Sequence, residues 1–174
     1  MEENHFRCET CGSPMVRRRV ASYDVSGLVG FNHVLVEDFE ATVCKRDPSH
    51  ETMVLDGSLI DFVVAAVAKM IVEHIPSLTQ QEVRFLRKFL ECTQTKLGEW
   101  LGVDRVTVGR WETGETPMPV ATAQAIRGRV MAQLSASWPK LMPRAEADRV
   151  FKKPEPRPAQ FVVQARNLEA AAAC

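Results

Sequence analysis

The stretch from Thr93 to Glu115, TQTKLGEWLGVDRVTVGRWETGE, decides how the rest of the chain is read. Thr93 and Asp104 each precede a run of helically spaced apolar residues, and each carries an oxygen able to accept from a helix-end N–H. Gly102 and Gly114 stand where those helices must stop, and glycine enters the left-handed conformation that ends a helix without a Cβ clash. Leu97, Leu101, Val103, Val108 and Trp111 are spaced to close the seam between the helices. Gly98 is the small residue a close crossing needs, despite its poor helix propensity. The spacing predicts a helix-turn-helix whose second helix starts at Asp104.

In most proteins that arrangement lays its second helix in the major groove of double-stranded DNA. Arg105, Val106 and Thr107 are the early exposed residues of that helix, and Arg110 lies beside them. Arginine can bind guanine through two hydrogen bonds, and an apolar side chain can meet a thymine methyl. Arg105 is open between a base contact, a phosphate contact and a solvated residue, and Arg110 between base and phosphate. Trp111 reads as core. Glu112 reads as a brace for the following turn or for an arginine, and Trp100 as a partly exposed side chain available to a neighbouring subunit. A plain helical hairpin for protein contact is the competing reading.

The run T-Q-x-x-L-G-x-x-L-G-V-D-R-x-T-V-x-R-W-E-x-G-E resembles the DNA-binding domain of phage lambda repressor and Cro-type regulators. Thr93, Gln94, Leu97, Leu101, Gly102, Val103, Thr107, Val108, Arg110, Trp111, Glu112 and Gly114 carry the resemblance. It implies that Gln94, at the start of the first helix, touches the phosphate backbone, where a helix N-terminus favours anions in any case. The family usually has alanine at Gly98 and serine at Gly109, and the second departure removes a hydroxyl that commonly reaches a phosphate.

Helical signals surround this stretch. Ser58 with Asp61 marks a helix start, and the helix runs to about His74 with apolar residues on nearly every face, so it must be covered on several sides. It reads either as a core helix between domains or as a dimer interface. Thr79 with Glu82 forms a capping box, with Leu78 and Val83 as a hydrophobic staple, ahead of the stripe Phe85, Leu86, Phe89 and Leu90. Pro119 suits the first turn of a further helix through about Leu134. Beyond Pro139 the chain is rich in Pro and basic residues, and Phe161–Val163 carries a weak signal for a docked strand or a peptide-like anchor.

Upstream, residues 6–56 read as a small β-rich module, with turns at Gly27 and Gly30 and a strand over Val34–Val43 leading into Cys44. So small a module buries little core and gains from a metal staple. Cys8-x2-Cys11 has the knuckle spacing, and Cys44 supplies a third ligand for a structural zinc ion. A second knuckle would need its partner at position 47, which is Asp47. His50 is the chosen fourth ligand, with His5 and Asp47 as rivals.

The order of cysteine-pair module, connecting helix and repressor-like domain resembles the MqsA/YgiT family of antitoxins over roughly residues 6–134. That resemblance implies an N-terminal zinc module that neutralises an RNA-cleaving toxin. It also implies a C-terminal domain that forms a homodimer and represses its own operon. The expected architecture is α+β: a zinc-binding module over residues 1–57, a connecting helix over 58–76, a helix-turn-helix domain over 77–135 and an extended tail over 136–174.

Composition sets the outer bounds. A chain of 174 residues, 45% hydrophobic and 25% charged, is globular. Its net charge is zero, but residues 77–134 hold eight Lys and Arg against six Asp and Glu, whereas residues 1–60 hold six against ten. Phosphate contacts must therefore come from local placement of charge. The polar start MEENHFRCETC is unlike a signal peptide, and Asp61, Lys69 and Glu73 interrupt the most apolar run. A cytoplasmic protein without a membrane segment is expected. No Ser/His/Asp or H-E-x-x-H spacing occurs, and a four-ligand zinc leaves no place for water, so no enzyme is expected. Cys92 reads as a small buried residue, and Cys174 as an oxidation-prone thiol if exposed.

Overall fold

Two strands begin the chain's regular structure, β1 (Met15–Asp24) and β2 (Val34–Cys44), joined through the short helix α1 (Ser26–Val29). The computed structural model describes residues 6–50, 53–74, 77–141 and 161–164. β1 and β2 pair antiparallel from Met15 opposite Cys44 to Asp24 opposite Leu35. The other edge of β2 is shared by two short strands. β3 (Met53–Val54) pairs antiparallel with Thr42 and Val43, and β4 (Phe161–Gln164) pairs parallel with Val34–Glu37.

β2 does not alternate evenly. Val34 and Val36 are buried in the main core, and so are Phe39, Ala41 and Val43, so the inward set passes from even to odd numbers. The slip falls at Asp38, whose φ of 56° lies in the left-handed region that aspartate tolerates better than branched residues do. Its carboxylate receives the Arg19 guanidinium from β1.

The rest of the described chain is mainly helical. α2 (Gly57–His74) is followed by α3 (Gln80–Phe89), α4 (Gln94–Leu101), α5 (Arg105–Thr113) and α6 (Val120–Leu141). The architecture is therefore an N-terminal β-sheet carrying a metal-ligand cluster, then a mostly α-helical region. α2 touches α1 and β4 on one side and α3 and α6 on the other. Phe62, Val63, Val67 and Ile71 are fully buried in it, each contributing about 1.5–3 kcal/mol of burial. Most of its apolar residues are thus covered within this chain, while Ile60 and Val64 are half-buried. One hydrophobic cluster runs from Val36 and Phe39 in the sheet through α2 to Leu86, Leu97, Trp111 and Ile126.

Most helix ends follow the expected local chemistry. The Thr79 hydroxyl accepts from the Glu82 N–H and the Glu82 carboxylate from the Thr79 N–H, a complete capping box. Thr93 accepts from the Lys96 N–H and Asp104 from the Thr107 N–H. Gly102 and Gly114 end α4 and α5 with φ of 71° and 77°. Two expectations change. Asp56, not Ser58, starts α2: its carboxylate accepts from both the N–H and the hydroxyl of Ser58, and its carbonyl from the N–H of Leu59 and Ile60. α6 continues past Leu134 to Leu141. Within the expected tail, Phe161–Gln164 is a docked strand, and residues 142–160 and 165–174, Cys174 among them, lie outside the described residues.

Candidate metal centre and exposed helix

The ligand atoms of Cys8, Cys11, Cys44 and His50 all lie within 4.8 Å of one another. Cys8 Sγ is 3.3 Å from His50 Nδ1, and Cys11 Sγ is 3.5 Å from Cys44 Sγ. A tetrahedral ion with metal–sulfur bonds of about 2.3 Å would set its sulfurs about 3.8 Å apart, so the cluster is suitable for a metal ion.

Two turns hold the ligands. In the first, the Gly12 N–H donates to the Cys8 carbonyl and the Cys8 N–H to the Ser13 carbonyl, with Gly12 at φ 68°. Burial pushes the Cys8 thiol up. The N–H groups of Cys11 and Thr10, with His50 and Cys44, outweigh it and lower the thiol to about 6. Cys11 is lowered too, first by the Ser13 hydroxyl. Two of the three sulfurs are thus biased toward the thiolate that a metal needs. Cys44 behaves differently: the Asp47 N–H pulls it down, but burial and the neighbouring Cys11 leave it raised.

The second turn explains the missing cysteine. Asp47 turns its carboxylate to Ser49, accepting from its N–H at 2.9 Å and its hydroxyl at 2.7 Å. Its carbonyl accepts from the His50 N–H at 3.2 Å. That turn carries the His50 ring back over the cluster, with Nδ1 toward Cys8 and Nε2 3.8 Å from the Asp47 carboxylate. At that distance the carboxylate is an ionic neighbour of the ring, and Asp47 holds His50 through the turn's backbone bond. The Cys8 thiol, first among its neighbours, raises the imidazole. Of the two rivals, Asp47 supports the site instead of joining the cluster, and His5 lies outside the described residues. Cys8, Met15 and Cys44 form a small core of their own beside Cys11 and Val54. The supporting role of Asp47 was not legible in the sequence, where a carboxylate at a ligand position reads as a ligand or a gap.

The second constellation lies on α4 and α5. A Cβ at Gly98 would stand 2.6 Å from the Val103 carbonyl oxygen, so the close approach is to the turn backbone. Glu112 is buried on α5 and ties three helices together. Its Oε1 accepts from Arg87 Nε of α3, and its Oε2 from Arg87 Nη2 at 3.2 Å and from Gln94 Nε2 of α4 at 2.9 Å. Burial pushes this carboxyl up, but the Arg87 and Gln94 hydrogen bonds outweigh it and hold it below the usual glutamate range. Gln94 therefore directs its amide inward, although the resemblance implies a phosphate contact.

The outward side of α5 carries Arg105, Val106 and Arg110, all exposed, with Val106 58% exposed. Arg110 lies 3.4 Å from Glu115. Thr107 is half-buried and donates its hydroxyl to Asp104 at 2.8 Å, so it faces its own cap. Trp111 is buried, whereas Trp100 on α4 is 46% exposed. Cys92 is half-buried, and its thiol donates to the Leu90 carbonyl. Among the described residues no helix is long and apolar enough to cross a membrane. No protein-family model, curated protein or solved structure matches this chain.

Proposed function

We propose that the chain is a zinc-containing DNA-binding transcriptional repressor that acts as a homodimer. The observation that carries this is the outer side of α5. Arg105, Val106 and Arg110 stand exposed on a short helix whose inner side is fixed by Val108, Trp111 and Glu112. Arginines at such positions suit guanine edges or phosphates, and Val106 suits a thymine methyl. Gln94 gives one amide N–H to Glu112 and keeps a second donor, which with the N–H groups at the start of α4 suits a phosphate. The three thiols and one imidazole suit zinc, and with four protein ligands the ion is structural and leaves no site for catalysis.

The biological setting we favour is a cytoplasmic antitoxin of the MqsA/YgiT type, the alternative being a stand-alone zinc-containing transcriptional regulator without a toxin partner. The N-terminal module binds an RNA-cleaving toxin, while the helical region represses the operon. Purification from native cells tests both parts: a co-purifying basic ribonuclease and stoichiometric zinc are expected. DNA from upstream of its own coding sequence should bind with an affinity that falls steeply with salt, since phosphate contacts release counterions. Absence of salt-dependent binding would favour a second reading. The exposure of Trp100 and Val106 is also compatible with a zinc-stabilised adaptor that uses α4 and α5 for protein contact.

A further inference from the structure

β4 is a four-residue strand separated from α6 by residues 142–160, yet it is deeply anchored. Phe161 and Val163 are buried, whereas Val162 between them is 38% exposed. The Phe161 N–H donates to the His33 carbonyl at 2.8 Å, and the strand then pairs parallel with Val34–Glu37. The Phe161 ring meets Phe31 edge-on at 5.2 Å, and Phe31 meets Phe85 of α3 at 5.0 Å. Main-chain pairing with pockets for alternate side chains is how proteins capture extended peptides at a sheet edge.

We infer that the β2 edge from His33 to Glu37 is a peptide-binding slot, occupied in this chain by its own displaceable segment Phe161–Gln164. The slot takes an extended segment of a partner protein with an aromatic and a β-branched residue two positions apart. The aromatic enters edge-on against Phe31, and the β-branched residue fills the place of Val163. The resident strand belongs to the same chain as the slot, so an outside segment competes for it only once β4 is released. Because Phe31 also packs on Phe85, an incoming segment reports its presence to α3.

A labelled peptide of residues 158–166, PAQFVVQAR, tests this on the full-length chain. It should bind saturably to a Phe161→Ala, Val163→Ala variant and at least tenfold more weakly to the unaltered chain. The same peptide with alanine in place of its Phe and second Val should not bind. Equal binding to both chains, equal binding of the alanine peptide, or none to a variant with native circular dichroism would overturn the proposal. If the variant does not fold, amide exchange in the unaltered chain decides. β4 amides should exchange at least tenfold faster than those of the β1–β2 ladder, and exchange at the same rate as that ladder would refute a displaceable strand.

Discussion

A methyl group at Gly98 would press on the Val103 backbone, whereas one at Gly109 would meet nothing within 4 Å. The two glycines therefore predict opposite outcomes. Gly98→Ala should destabilise by about 1–3 kcal/mol, because the obstacle is main chain and cannot swing aside. Gly109→Ala should stabilise by up to about 1 kcal/mol through helix propensity alone. Urea denaturation of the two variants checks both signs. Arg105 carries the corresponding prediction for recognition. Arg105→Ala should weaken specific DNA binding by about 1–3 kcal/mol and relax preference at one base pair. A uniform loss on specific and random DNA, measured by titration, would identify a phosphate contact instead.

At the level of elements, the Glu112 carboxylate ties α3, α4 and α5 together beside their apolar seam. Its side chain is 1% exposed and that of Arg87 13%. Glu112→Ala should cost about 1–3 kcal/mol, because it takes the charged partner from the half-buried Arg87 guanidinium, which retains its bond to the Cys92 carbonyl. The carboxyl is held low in the folded chain, so its contribution is complete above the ordinary glutamate value of 4.5 and is lost as pH falls through the lowered one. Acid unfolding followed by circular dichroism should therefore be steeper below about pH 4.5 in the unaltered chain than in Glu112→Gln. The ends of these helices were legible because a cap is chemistry between residues three apart, as with Thr79 and Glu82 or Asp104 and Thr107. At α2 two capping residues, Asp56 and Ser58, stand almost side by side, and the bonds that Asp56 accepts decide between them. The docking of β4 was legible only as an apolar trio, since its slot is built by Phe31 and Val34, far away in sequence.

Among the described residues of the molecule, one apolar core joins the sheet to the helices, while the Cys8, Cys11 and Cys44 group keeps a separate small core. The four residues of the cluster were readable from spacing as candidates, but the change of inward set in β2 that leaves Cys44 outside the main core was not. It coincides with the left-handed residue Asp38. Without the slip there, β2 would keep its even-numbered residues inward, and Cys44 would point into the α2 core, away from Cys8 and Cys11. With it, Val43 faces inward and Cys44 turns to the far side of the sheet beside Met15 and Val54. A single backbone torsion thus acts as a railway point that routes a cysteine to one side of the protein or the other. Asp38→Gly, which keeps the torsion freely available, should retain metal and fold. Asp38→Val should cost about 1–2 kcal/mol and lose metal, as metal content after gel filtration will show.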